Sequence, residues 1–196
     1  GHDDPMNSLA HVALAGPEPA GVLGGIAGDF VKGRIDQHPD SSFANGVRLH
    51  RAIDRFTDHH PICARSRARF VGPRRRFAGI IVDMAYDHFL AVNWGRFGVV
   101  GSPNVGVSPV VSASGAGGEP PDALEQFTGA VYALVERHLD RTPPRFRQVF
   151  PRMREHDWLA SYRRLDALGR AIDGIASRST RAAPLAGSIE DVRAVY

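Results

Sequence analysis

Two stretches of this sequence put ionisable side chains where a helix should be apolar. Residues 80–90, IIVDMAYDHFL, are apolar almost all the way round a helical wheel, the pattern of a buried helix, yet they include Asp83, Asp87 and His88. Asp83 and Asp87 are spaced i,i+4 and share a face with Ile80, Leu90 and Trp94. His50 and Asp54 repeat the anomaly, lying inside an apolar arc of Phe43, Val47, Leu49, Ile53 and Phe56. Charge buried in this way must be paired. A divalent cation between the helices would do it. So would ion pairs to Arg51, Arg55 or Arg76, and the residues alone leave both open. His11 and Asp29 are further candidates; Asp29 lies in the unusual run Gly28-Asp29-Phe30-Val31-Lys32-Gly33. A mixed His and carboxylate set without cysteine suits Mn²⁺, Mg²⁺, Fe²⁺ or Zn²⁺ in hydrolysis rather than a structural zinc. The chemistry would be activation of water and polarisation of a phosphoryl oxygen. His88 faces elsewhere on the wheel, toward Phe77, Ile81 and Met84, and reads as a ligand, a proton shuttle or a core residue.

The elements that must position these groups are helices. A short helix follows Asn7-Ser8 and carries His11. A second covers about 20–34 with the stripe Val22, Ile26 and Phe30. The glycines at 21, 24, 25 and 28 lower its propensity and permit close approach of backbone or ligand. Ser41 or Ser42 caps a third, to about Asp58. Pro61 opens a short one through Phe70, and Gly72-Pro73 punctuates. Arg74-Arg75-Arg76 begins a long helix to about Phe97, with the arginines reading as a solvated basic end. Residues 98–121 are Gly, Ser, Pro and Val with one acid, Glu119, and read as a long loop. Helical periodicity returns over about 122–140, is ended by Pro143-Pro144, resumes over about 157–177 and appears last after Ser188. No alternating strand pattern stands out. The expected fold is all-α: a single helical domain over residues 6–196, with residues 1–5 read as a cloning remnant.

The chain has 196 residues, enough for one domain with a substantial core. It has no apolar run long enough for a membrane span and no signal-peptide pattern. Its single cysteine, Cys63, gives no disulfide framework and makes a cytoplasmic location the default. Arginine and lysine number 24 against 21 acids, and Lys32 is the one lysine, so arginine supplies the basic surface. Such a surface suits phosphate, carboxylate or an acidic partner. There is no phosphate-binding loop, dinucleotide fingerprint or nucleophile elbow. The basic residues are not interleaved with aromatics as single-strand binding needs, so nucleic acid is not an expected partner.

With these residues in view, the chain resembles the acyl carrier protein phosphodiesterases. The resemblance runs through MNSLAH at 6–11, GDFVKG at 28–33, HRAIDRFTD at 50–58 and DMAYDHFL at 83–90. It continues through PPRF at 143–146, WLASY at 158–162 and ASR at 176–178. It implies a helical bundle diverged from the HD phosphohydrolases. It also implies hydrolysis of 4′-phosphopantetheine from the serine of holo-acyl carrier protein with Mn²⁺, or Mg²⁺ or another divalent metal. Carried over residue by residue, the metal ligands would be Asp29, His50, Asp54, Asp83, Asp87 and His11, with Asp29, Asp83, Asp87 and His88 acting in catalysis. Lys32, Arg51 and Arg178 would be the cations that meet the phosphate. The superfamily's His-Asp doublet stands here only in reverse, as Asp87-His88. The loop at 98–121 is longer than the family pattern, and a further aromatic-rich helix would be expected after Tyr196. The alternatives are an HD-type hydrolase of a nucleotide or other small phosphate ester, and a non-catalytic helical module that binds a carrier protein.

Overall fold

A computed structural model describes residues 8–36, 38–97 and 122–194. The expected remnant, the Asn7 cap and the long loop at 98–121 lie outside the described residues. Within them the chain is all-α: α1 (Ser8–Leu14), α2 (Pro19–Ala27), α3 (Ser41–His59), α4 (Pro61–Arg67), α5 (Ala78–Val92), α6 (Trp94–Phe97), α7 (Ala123–Arg137), α8 (Pro144–Glu155), α9 (Trp158–Ser161), α10 (Leu165–Ala176) and α11 (Ile189–Arg193). No strand occurs among the described residues. No helix among them is long and apolar enough to cross a membrane.

Caps set several boundaries. Asp40, not Ser41 or Ser42, caps α3, its Oδ1 accepting from the Phe43 amide at 2.9 Å. Its Oδ2 takes the Arg141 guanidinium at 2.7 Å, which pulls the Asp40 carboxyl down to about 2 and ties α3 to the end of α7. Asp122 caps α7 in the same way through the Leu124 and Glu125 amides at 3.0 Å. The second expected helix is shorter than its stripe suggests: α2 stops at Ala27, and Gly28–Phe30 continues as a 3₁₀ turn. The long helix expected from Arg74 is divided. Gly72–Phe77 is a 3₁₀ turn, α5 starts at Ala78, and Asn93 separates α5 from α6. The arginines of that turn are not simply solvated. Arg74 binds Asp191 at 2.7 Å and the Pro184 carbonyl at 3.2 Å, and Arg76 donates to the Arg181 carbonyl at 2.9 Å. They fasten the C-terminal segment to the start of α5. Pro143-Pro144 begins a helix as well as ending one, because Pro144 occupies the first turn of α8, where its missing N–H costs nothing.

The apolar side chains gather in two clusters. The larger joins α1, α2, α3, α7, α8 and α9 through Leu9, Val12, Ile26, Phe43, Val131 and Phe146. The second sets Ile81 and Met84 of α5 against Leu168 and Ile172 of α10 and Leu185. The tightest helix contact is backbone on backbone. A Cβ added at Gly24 would lie 2.1 Å from the Gly46 carbonyl carbon, and one at Gly46 would lie 2.0 Å from the Ala20 oxygen. The α2 glycines thus serve the close approach of α3, and that approach brings His50 over the end of α2.

Candidate metal centre

His50 sits at the middle of α3 and is 3 % exposed. Its Nδ1 lies 3.0 Å from the Gly25 carbonyl, which can only accept, so the ring proton is held on Nδ1. Nε2 then faces two carboxylates, Asp29 Oδ1 at 3.3 Å and Asp54 Oδ2 at 3.4 Å. This is the tautomer a metal-ligating histidine needs, with its second nitrogen fixed by a carbonyl. Burial disfavours a charged His50, but the Asp29 hydrogen bond, the Asp29 and Asp54 charges and the Gly25 carbonyl outweigh it and raise its pKa. The ring also rests on Gly28, where a Cβ would come within 2.5 Å of His50 Cγ.

His11 completes the group from α1. Its ring stacks on His50 with centroids 3.8 Å apart and planes 17° from parallel. Asp54 Oδ1 lies 3.0 Å from His11 Nε2 without the alignment of a hydrogen bond, and neither His11 nitrogen has a hydrogen-bond partner among the described residues. A fully buried imidazole left so is costly, which gives these nitrogens a reason to have a ligand. One ligand atom each from His11, His50 and Asp54 lies within 4.8 Å of the others, a grouping that could hold a metal ion. Asp29 and Asp54 remain 31 % and 41 % exposed, so the group opens to solvent on their side.

Asp83 belongs to the same neighbourhood. Burial raises its pKa to about 6, the Asp58, Asp54 and Asp29 charges add to the shift, and Arg67 opposes it. Asp58, which entered the sequence reading only as the end of the block at 50–58, adds negative charge beside Asp83 while pairing with Arg67 at 3.1 Å. The excess of carboxylates is what a cation would relieve, and the nitrogen and oxygen donors fit a divalent ion.

The remaining candidates are placed differently. Asp87 is fully buried, and its two oxygens accept from the Leu9 amide at 2.9 Å and the Ala10 amide at 2.9 Å. It therefore holds the first turn of α1 rather than joining the imidazoles. Burial raises its pKa to about 7, against the lowering effect of those two amides. His88 approaches the Tyr162 carbonyl through Nδ1 at 2.7 Å. The reversed doublet thus points to two structural partners. Arg51 Nη2 donates to the Val31 carbonyl at 2.9 Å and braces the turn that bears Lys32. Lys32 lines a cavity of about 720 Å³ with Phe30, Asp40 and Arg141. Arg178 lines another, of about 620 Å³, with Arg152, Arg164, Arg170 and Trp158. The ion-pair alternative for Asp87 is replaced by backbone amides.

A family model described as acyl carrier protein phosphodiesterase matches residues 6–103 and 119–196. Proteins named acyl carrier protein phosphodiesterase are similar to this chain over nearly all of it. The one from Serratia proteamaculans (strain 568) is 34% identical over 191 residues, covering 97% of this chain and 88% of the relative. Those from Photorhabdus laumondii and Salmonella agona (strain SL483) are each 30% identical over 97% of this chain, covering 86% and 88% of the relatives. No solved structure matches the sequence. The seven blocks noted above all fall within the matched residues, and the chain belongs to the acyl carrier protein phosphodiesterase family.

Proposed function

We propose that this chain is a metal-dependent phosphodiesterase that releases 4′-phosphopantetheine from the serine of holo-acyl carrier protein. The observation that carries the reading is the approach of His11, His50 and Asp54 within 4.8 Å of one another, in a chain whose relatives bear that activity as their name. Water adds to phosphorus, the bond from phosphorus to the serine oxygen breaks, and the serine oxygen takes up a proton. The products are apo-carrier and 4′-phosphopantetheine. His11, His50 and Asp54 would hold a divalent ion; these nitrogen and oxygen donors without thiolate suit Mn²⁺, Mg²⁺, Fe²⁺ or Zn²⁺, and Mn²⁺ is the one that the family resemblance implies. When bound, such an ion supplies Lewis acidity to the phosphoryl group and the attacking water.

The chain's own groups divide the remaining work. The Gly25 carbonyl orients His50 through Nδ1, and Asp29, which faces Nε2, would be a further ligand to the ion. Asp83, with a pKa near 6, can exchange a proton at neutral pH and is the general base in this reading. Arg51 braces the 31–32 turn, and Lys32 at that turn meets phosphate charge. The decisive experiment is incubation of the protein with holo-carrier and Mn²⁺, followed by intact-mass analysis. Loss of the phosphopantetheine mass, abolished by EDTA, is the expected result. An unchanged carrier mass would overturn the reading, and rapid cleavage of small phosphate esters alone would favour the small-ester hydrolase.

A further inference from the structure

The arginines of this chain are not spread evenly. Residues 141–181 hold ten arginines and four acids, a net charge of +6, whereas the whole chain carries +3. The rest of the molecule is therefore net negative, and positive potential gathers over α8, α9 and α10. Within that region the three helices border a cavity of about 620 Å³, the size of a small-molecule site. Its floor is apolar: Met84, Tyr162 and Ile175 line it and are each buried. Half-buried Trp158 forms part of the wall. At the rim stand four exposed arginines, Arg152, Arg164, Arg170 and Arg178, and no acid lines the cavity among the described residues. One carboxylate lies close by: Asp166 binds Arg170 at 2.8 Å and is 3.8 Å from Arg164. Both pairs are exposed, so they hold their arginines weakly. The Arg152 side chain has no hydrogen bond or ion pair among the described residues. Four like charges around one mouth repel one another, and a single aspartate leaves three of them unbalanced. The metal group does not account for them, since none of His11, Asp29, His50, Asp54 and Asp83 lines the cavity.

We propose that this cavity binds a nucleoside diphosphate, at a site separate from the metal group. Guanidinium groups take phosphate oxygens in bidentate pairs, so the rim is built for phosphate. A diphosphate carries about three negative charges at neutral pH, which equals the unbalanced charge at the rim. Inorganic diphosphate would satisfy the rim alone. The apolar floor and Trp158 add a surface for a planar base, which stacks on aromatic side chains. The site goes beyond the phosphodiesterase reading and does not depend on it.

The test is calorimetric titration of the full chain in EDTA with ADP and, separately, with inorganic pyrophosphate. EDTA removes any metal bridge to the phosphates. ADP should bind one to one and more tightly than pyrophosphate, and both should weaken with salt. Arg152→Ala and Arg164→Ala should each weaken ADP binding on the order of tenfold, the loss of a charge-assisted hydrogen bond. Arg65→Ala removes an exposed arginine of α4 outside the cavity and should leave ADP binding unchanged. Trp158→Leu should narrow the gap between ADP and pyrophosphate. The Mn²⁺-induced rise in Tm of Arg152→Ala should match wild type, which excludes damage to the fold or the metal group. Absence of binding by wild type, or equal losses in Arg65→Ala and Arg152→Ala, would overturn the site. Equal affinity of wild type for ADP and pyrophosphate would overturn the nucleoside assignment. Either result leaves the phosphodiesterase reading standing.

Discussion

The imidazoles of His11 and His50 lie face to face, 3.8 Å between centroids, although the two residues come from different helices. Two imidazolium ions in that stack would repel each other. The arrangement favours at least one neutral ring, which is the form that binds a metal. Divalent metal should therefore raise Tm, with a stabilisation of about 2.7 kcal/mol when the ion is at one hundred times its Kd. His11→Ala and His50→Ala should each remove most of that rise. Differential scanning fluorimetry against Mn²⁺ concentration reads it directly. An undiminished rise in His11→Ala would place the metal elsewhere.

Asp87 acts at a distance through α1. In Asp87→Asn one oxygen still accepts an amide, but the new NH₂ group faces the other amide, donor against donor. The expected loss of unfolding free energy is about 1–3 kcal/mol, the cost of a buried group left unsatisfied. Because α1 carries His11, Mn²⁺ affinity should fall as well. Urea unfolding without metal and calorimetric titration with Mn²⁺ separate the two effects. Full stability together with unchanged affinity would remove Asp87 from any role in positioning His11.

The metal-free protein should lose stability as pH rises from about 4 to about 7. Asp83 and Asp87 are raised from 3.8 to about 6 and about 7, so across this window they hold protons in the folded state that the unfolded chain has released. The unfolded state binds fewer protons, so the slope of unfolding free energy with pH is negative, and it flattens above the upper value. Denaturant melts in EDTA at several pH values test this. Asp87→Asn should reduce the slope, and a stability that climbs through the window would contradict the burial of these acids.

Asp83→Asn keeps the shape of the side chain and removes its titration. On the proposed mechanism kcat should fall by about 10²–10⁴, as for loss of a general base, while the Mn²⁺-induced rise in Tm persists. The acidic limb of the kcat/KM profile should disappear with it. A variant with wild-type turnover would assign proton transfer to another group.

Much of the helical framework was legible in the periodicity. The approximate spans of α3 and α7 and the existence of α5 follow from apolar stripes, although Asp40 and not Ser41 or Ser42 caps α3 and α7 ends at Arg137, short of Asp140. The break before α5 was less visible, because three arginines beside an apolar run look like a helix start. Helix α8 was hidden by reading Pro143-Pro144 only as a stop. The i,i+4 spacing of His50 and Asp54 was a usable signal, and so was the glycine run at 21–28, which serves helix packing. Asp87 shows the boundary of such reasoning. Its wheel position beside Asp83 was plain, but no local pattern says that another helix will bring its free amides onto that face. A buried carboxylate can be satisfied by backbone as well as by a cation, and only the tertiary arrangement decides between them. Arg178 illustrates the same gap, since its cavity is formed by α8, α9 and α10 together.

The crossing of α2 and α3 at Gly24 and Gly46 also bears on attempts to make this protein more heat-resistant. Replacing helical glycine with alanine is a common route to higher Tm, worth up to about 1 kcal/mol per site. At this crossing it would work backwards, since the added methyl meets backbone that cannot move aside without shifting His50. Gly129 in α7 and Gly174 in α10 have nothing within 4 Å of an added Cβ, so alanine there should raise Tm at no cost to the metal group. The glycines of this chain thus sort into those that may be engineered and those that fix the site in place.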